Sequence, residues 1–313
     1  MILFASPDDP PLTDYELGTG TESPSLKPLT DMDVIASFHK DPFFLPYEQN
    51  IQTLHVVIHS VITVTLTHLA LLLGLKLWTG ESFSSCIKGS YRGTNLLVNT
   101  FLGCYGAYLC IFEQEWSFPL SSVPMYDKIG GYDQYCHFSG MQIGYNLWAL
   151  PIGKFLIGED WFMIGHHIAV IFIGMPSGFS TTGFRLHAPY LLGVIELSSI
   201  PLAFVNYFKD HRAWTAMYCP MLFNLFKLVF AASFLVLRVL IGSNHMWEVT
   251  KNAFLLIWTA NGLSWRVFWC SGYFIFALCL IFLQYFWGVL IVKGVVALIY
   301  FPKKSTIKTK KSD

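Results

Sequence analysis

Residues 160–209 read DWFMIGHHIAVIFIGMPSGFSTTGFRLHAPYLLGVIELSSIPLAFVNYFK. Twenty-four uncharged residues separate Asp160 from Arg185, and the 23 between Arg185 and Lys209 carry only Glu196. About 20 apolar residues cross the roughly 30 Å hydrocarbon core of a bilayer as a helix, and a charge at its centre costs several kcal/mol. Two consecutive stretches of this length predict two membrane-spanning helices with a histidine pair and a carboxylate inside them.

The same punctuation recurs along the chain. Uncharged windows run from Glu48 to Lys76, Arg92 to Glu113, Asp133 to Lys154 and Arg266 to Lys293, and Arg212 to Arg238 is broken only by Lys227. Together these predict an all-α polytopic bundle of about seven transmembrane helices, the first over residues 51–75. The 14 residues between Lys251 and Arg266 are short for a crossing and read as an interfacial or re-entrant piece. Composition agrees: of 313 residues 54% are hydrophobic and 13% charged, and the mean hydropathy is +0.49. So little charge cannot cover a soluble surface. Zero net charge removes the electrostatic footprint of a nucleic-acid binder. Seven scattered cysteines form neither a disulfide framework nor a zinc spacing.

The balance of charge hides an asymmetry. Residues 1–41 hold eight acids against two lysines, together with five prolines. Residues 1–45 are expected to be a disordered acidic tail. Residues 300–313 form a basic tail with five lysines. With seven spans and that tail in the cytosol, twelve basic residues fall on the cytosolic side and seven on the other, as the positive-inside rule requires. The N-terminus is then lumenal. Lys310-Lys311, three and four places from the end, look like a dilysine retrieval signal read by a cytosolic coat. That points to the endoplasmic reticulum membrane.

Polar residues inside spans are the informative ones. His166-His167 sit mid-window, Glu196 occupies the next window, and Asn224 and Lys227 the one after. Adjacent helical residues point about 100° apart, so the two histidines flank a cavity rather than both entering it. Glu196 needs a proton or a cation, and Lys227 or a protonated histidine is the expected partner. His55 and His59 share a helix face, but the repeated histidine boxes of membrane di-iron enzymes are absent; no metal is expected.

The segments SGMQIGYNLWAL (139–150), EDWFMIGHHIAV (159–170), ELSSIPLAFVNYF (196–208), FKLVFAASFLVLRVL (226–240) and FLQYFWGVLIVKGV (282–295), in this order, resemble the TLC-domain family, which includes ceramide synthases and TRAM proteins. The resemblance covers about residues 92–299. It implies helices around a central cavity, with His166, His167 and Glu196 acting on a lipid headgroup and Tyr145, Ser199, Asn224 and Lys227 binding substrate. In ceramide synthases the histidine pair serves N-acylation of a sphingoid base by acyl-CoA, and a His-Asp-x-x-Asp pattern follows. Here Glu196-Leu197-Ser198-Ser199 stands instead, which points to the non-synthase branch. The reading that results is a membrane protein of the endoplasmic reticulum that binds or processes lipid in membrane lipid homeostasis. An acyl-CoA-dependent N-acyltransferase and a cargo receptor or chaperone are the alternatives. No cofactor is expected beyond acyl-CoA as co-substrate in the first alternative; membrane lipid is the expected partner, and oligomerisation stays open.

Overall fold

A computed structural model of the protein describes residues 30–113 and 123–300. The Lys310-Lys311 ending and most of the acidic tail lie outside them. Among the described residues the chain is helical, with one isolated bridge between Phe44 and Ser180. Its helices are α1 (Asp31–Lys40), α2 (Tyr47–Thr79), α3 (Phe83–Tyr108), α4 (Met125–Ile129), α5 (Cys136–Pro151), α6 (Trp161–Phe179), α7 (Ala188–Leu191), α8 (Ser199–Asp210), α9 (Arg212–Tyr218), α10 (Pro220–Ser233), α11 (Gly242–Trp258) and α12 (Trp265–Tyr300).

Six helical stretches among these residues are, by length and composition, long and apolar enough to cross a membrane. The missing window is α5, which continues as a π turn through Ile152–Ile157. It is long enough, but Gln142, Asn146 and two glycines lower its hydropathy. The reason is its position: α5 is packed between α2 and α6, and Gln142, Tyr145, Asn146 and Trp148 are all buried. A helix shielded from lipid by its neighbours has no need of an apolar surface. The other extreme is α2, with 22% of its window buried and Leu66 and Leu73 exposed. The Arg185–Asp210 stretch, 61% buried, is again interior.

Helix ends are set locally. Gly80 closes α2 in the left-handed region at φ 66°, where its N–H reaches the Lys76 carbonyl. Asp160 caps α6 by accepting from the Met163 N–H at 2.9 Å. Where α3 crosses the turn before Glu196, a Cβ on Gly106 or on Gly193 would strike the Pro189 carbonyl, so the two backbones touch. Close backbone approach of this kind holds membrane helices together where the hydrophobic effect does not.

The bundle has two ends. At the N-end, where α2 begins, the buried Arg185 gathers the Gly131 and Ser180 carbonyls at 3.2 and 2.6 Å, with the Gly130 carbonyl and Asp133. At the C-end, where α12 finishes, Arg92 pairs with Asp210 and donates to the Asn206 carbonyl at 3.1 Å.

Two expectations change here. Residues 31–40 of the acidic tail are helical, because Thr30 and Asp33 form a reciprocal capping box and Ile35 and Phe38 bury one face. Residues 251–258 are no separate re-entrant piece. They are the last turns of a continuous 39-residue helical run, Pro220–Trp258, which turns at 259–264 into α12.

The N-terminal helix is docked in a pH-sensitive way. His39 lies 2.9 Å from the Thr259 hydroxyl, and burial, with Arg266 nearby, lowers its pKa from the ordinary histidine value. Docking therefore favours neutral His39: it is intact above the ordinary histidine value and weakens as pH falls through the lowered one. Amide protection factors across residues 31–40, corrected for intrinsic exchange, should be lower at about pH 5 than at about pH 7.5, and His39→Gln should remove that difference.

Candidate functional site

A chamber of about 680 Å³ opens between α3, α5, α6, α8, α10 and α12. Its wall includes Arg92, Glu159, Asp160 and Lys209, so its mouth is at the C-end. Below it, a narrow apolar tunnel of about 50 Å³ runs toward the N-end past Val170, Ile173, Phe184 and Tyr273. Gln142, His166, Val170, Glu196, Arg238 and Trp287 border both spaces and form a neck between them.

Glu196 lies in a short 3₁₀ turn, Val194–Ser198, just before α8. Its partner is neither Lys227 nor a histidine but Arg238, whose Nη2 is 3.2 Å from Oε2. Ser199 donates to the same carboxylate at 2.7 Å, while Arg238 Nε donates to Ser198 Oγ at 2.7 Å and Nη2 to Ser199 Oγ at 3.0 Å. Charge spacing alone makes Arg238 the end of a span. It stands instead near the middle of the Pro220–Trp258 run, inside the π-helical stretch Phe234–Ile241. The one sequence signal was the absence of any turn residue beside it.

The histidine pair divides its work. His166 borders chamber and tunnel, and its Nδ1 has no hydrogen-bond partner. His167 is buried, with one ring nitrogen hydrogen-bonded and the other facing a carboxylate. Its Nδ1 is 2.7 Å from Asn146 Oδ1, and its Nε2 is 3.5 Å from a Glu159 carboxylate oxygen. The Asn146 amide nitrogen donates to the Gln142 carbonyl and Oε1 at 2.8 and 2.9 Å, which leaves Oδ1 to accept from His167 Nδ1–H. Nε2 then faces a carboxylate. That contact is an ion pair when the ring carries both protons. Tyr91 donates to the other Glu159 oxygen at 2.9 Å.

Glu159 reaches this position because the chain reverses at Gly158, φ 76°, and because Gly153 presents no side chain. A Cβ there would collide with the Glu159 carboxylate and the Tyr91 hydroxyl. Glu159, Tyr91, Asn146 and Gln142 escape a span-by-span reading; Glu159 lies outside the uncharged windows altogether. Of the other expected residues, Tyr145 and Ser199 line the chamber. Asn224 and Lys227 border neither space: Lys227 lies over the Phe223 ring at 3.7 Å, 3.4 Å from the Asn224 side-chain oxygen, on an exposed stretch of α10. Among the described residues no group of three or more His, Cys, Asp or Glu could hold a metal ion.

The neck pair makes a stability prediction. Arg238→Met leaves Glu196 buried without its cation and should cost about 3–5 kcal/mol. Adding Glu196→Gln should recover at least half of that in reversible unfolding in detergent. Equal destabilisation of single and double variants would show that the two side chains are not coupled.

A family model described as the TLC domain matches residues 90–293. No curated protein and no solved structure matches the chain.

Proposed function

Because the chain belongs to the TLC-domain family, we propose that it is a lipid-handling membrane protein that receives a polar headgroup in the C-end chamber and an acyl chain in the tunnel. The observation that carries this reading is the neck. His166, Glu196 and Arg238 stand where a wide space with charged side chains in its wall meets a narrow one lined mostly by apolar side chains, the boundary that a lipid presents between head and tail. A site built for a small polar solute would need no apolar extension, and one for a hydrocarbon alone would need no ion pair. Glu196 and Arg238 offer both an acceptor and a donor to a zwitterionic or hydroxylated head, and the mouth carries both signs of charge, Arg92 and Lys209 with Glu159 and Asp160.

The chamber faces the cytosol in this reading. With Arg238 at membrane depth, the basic-residue count stands at twelve to six in favour of a cytosolic C-end. Residence in the endoplasmic reticulum membrane belongs to the same proposal. Membrane lipid homeostasis is the role that fits such a site.

A second reading, acyl transfer to an amine, is favoured by the His167–Glu159 contact. In that step the amine nitrogen attacks a thioester carbonyl and the C–S bond breaks. An imidazole takes the proton lost from nitrogen and returns it to the departing thiolate. His166, with a ring nitrogen unengaged at the neck, would be the base, and the His167–Glu159 pair its proton reserve. The Glu196-Leu197-Ser198-Ser199 sequence weighs for the first reading, since the neck carboxylate is already bound to Arg238.

Mass spectrometry of lipid retained by the purified protein tests the proposal. The wild type should carry a defined lipid class, and Ala203→Trp, which fills the chamber wall, should lose most of it. A lipid-free wild type, or retention unchanged by Ala203→Trp, would refute the chamber as the binding site. Incubation with an acyl-CoA and a sphingoid base separates the second reading: product formation that His166→Ala lowers by 10²-fold or more would establish it.

A further inference from the structure

The tunnel is apolar for most of its length, yet a second polar group stands at its N-end. His187 is 1% exposed and borders the tunnel. Its Nδ1 is 3.0 Å from Nδ1 of His245, whose ring stacks on Tyr190 with centroids 4.2 Å apart. Two imidazole nitrogens at that distance share one hydrogen, so one ring donates and the other accepts. This contact engages one nitrogen of His187. Its Nε2 is buried with no hydrogen-bond partner. A polar atom so placed is costly unless something that enters the tunnel answers it.

We propose that His187, held by His245, forms a second polar subsite at the floor of the tunnel and recognises a hydroxyl at the far end of a bound acyl chain. The inference rests on the lipid reading above and adds a requirement on the chain. A hydroxyl both donates and accepts, so it satisfies His187 Nε2 in either tautomer of the shared-proton pair. A carbonyl suits only one tautomer and a methyl neither. A carboxylate would bring an unpaired charge against Phe184, Met246 and Val249, which also form the wall. The nearby cation is already engaged, since Lys128 faces Glu248 at 3.6 Å.

Length sets the probe. On α6 the tunnel wall runs from His166 to Ser177, eleven residues or about 16 Å, which matches the length of an extended chain of roughly a dozen carbons.

The test is equilibrium competition against radiolabelled dodecanoic acid on the full chain in detergent micelles. Dodecanoic acid and 12-hydroxydodecanoic acid are compared. The hydroxy acid should bind about tenfold tighter to the wild type. His187→Phe should bring the two acids within about twofold of each other by weakening the hydroxy acid alone. Equal affinities in the wild type overturn the subsite, a water then answering Nε2, and leave the chamber reading intact. Binding of neither acid overturns the lipid reading and the subsite together. The wild-type comparison stands without the variant, so a His187→Phe protein that fails to fold leaves the test decisive.

Discussion

Hydrocarbon tolerates no unpaired charge, and the Glu196–Arg238 pair shows how this bundle is arranged around that rule. Each residue alone would be excluded from membrane depth; together, with Ser199 bonding to both and Ser198 accepting from Arg238, they are retained. The backbone is shaped to bring them together. Glu196 projects from a 3₁₀ turn and Arg238 from a π-helical stretch, two departures from α geometry that face each other. A π insertion adds a residue to the turn and shifts the phase of all that follows, so α10 and α11 present different faces. Neither departure is the cheapest local structure, and both persist because the pair they align is expensive to separate.

The same rule explains the uneven polarity of the helices. Outer helices such as α2 and α12 meet lipid along most of their length and read as uninterrupted apolar runs. The inner ones surrender apolarity in return for internal hydrogen bonds. In α5, Gln142 donates to the Leu192 carbonyl at 2.6 Å and accepts from Asn146, which accepts in turn from His167. This chain of donors and acceptors crosses three segments and ends at His167, whose Nε2 faces Glu159 at 3.5 Å. It is legible only once the helices are packed.

That difference sets how much could be read from the residues alone. Charge spacing locates spans well, because lipid penalises every charge it meets. It fails where a charge is buried in protein: Arg238 imitates a helix end. His166, His167 and Glu196 stand out because they interrupt apolar runs, and all three reach the chamber wall. Asn224 and Lys227 interrupt such a run too, yet they lie on an exposed face, since a lysine near a helix start reaches outward along its own aliphatic stem. Glu159 is invisible by the same logic, lying in a turn where a carboxylate is unremarkable; only the reversal at Gly158 carries it back to His167. Residues 31–40 were hidden by averaging, for two buried apolar residues and a capping box suffice to order a helix in an acidic stretch.

An ion pair that merely fixed the register of two helices would be sealed among aliphatic side chains. Glu196 and Arg238 instead border two cavities, and the polar atoms around them are incompletely answered: His166 Nδ1 and Gln284 Oε1, both at the tunnel wall, have no hydrogen-bond partner. Each such atom costs roughly 1–3 kcal/mol when buried and unsatisfied. A bundle selected for stability alone would replace them with leucine or phenylalanine at little loss of volume. Their retention at the one point where polar and apolar spaces join is the arrangement expected of a surface completed by a ligand, with the head supplying the missing bonds and the tail filling the space beyond.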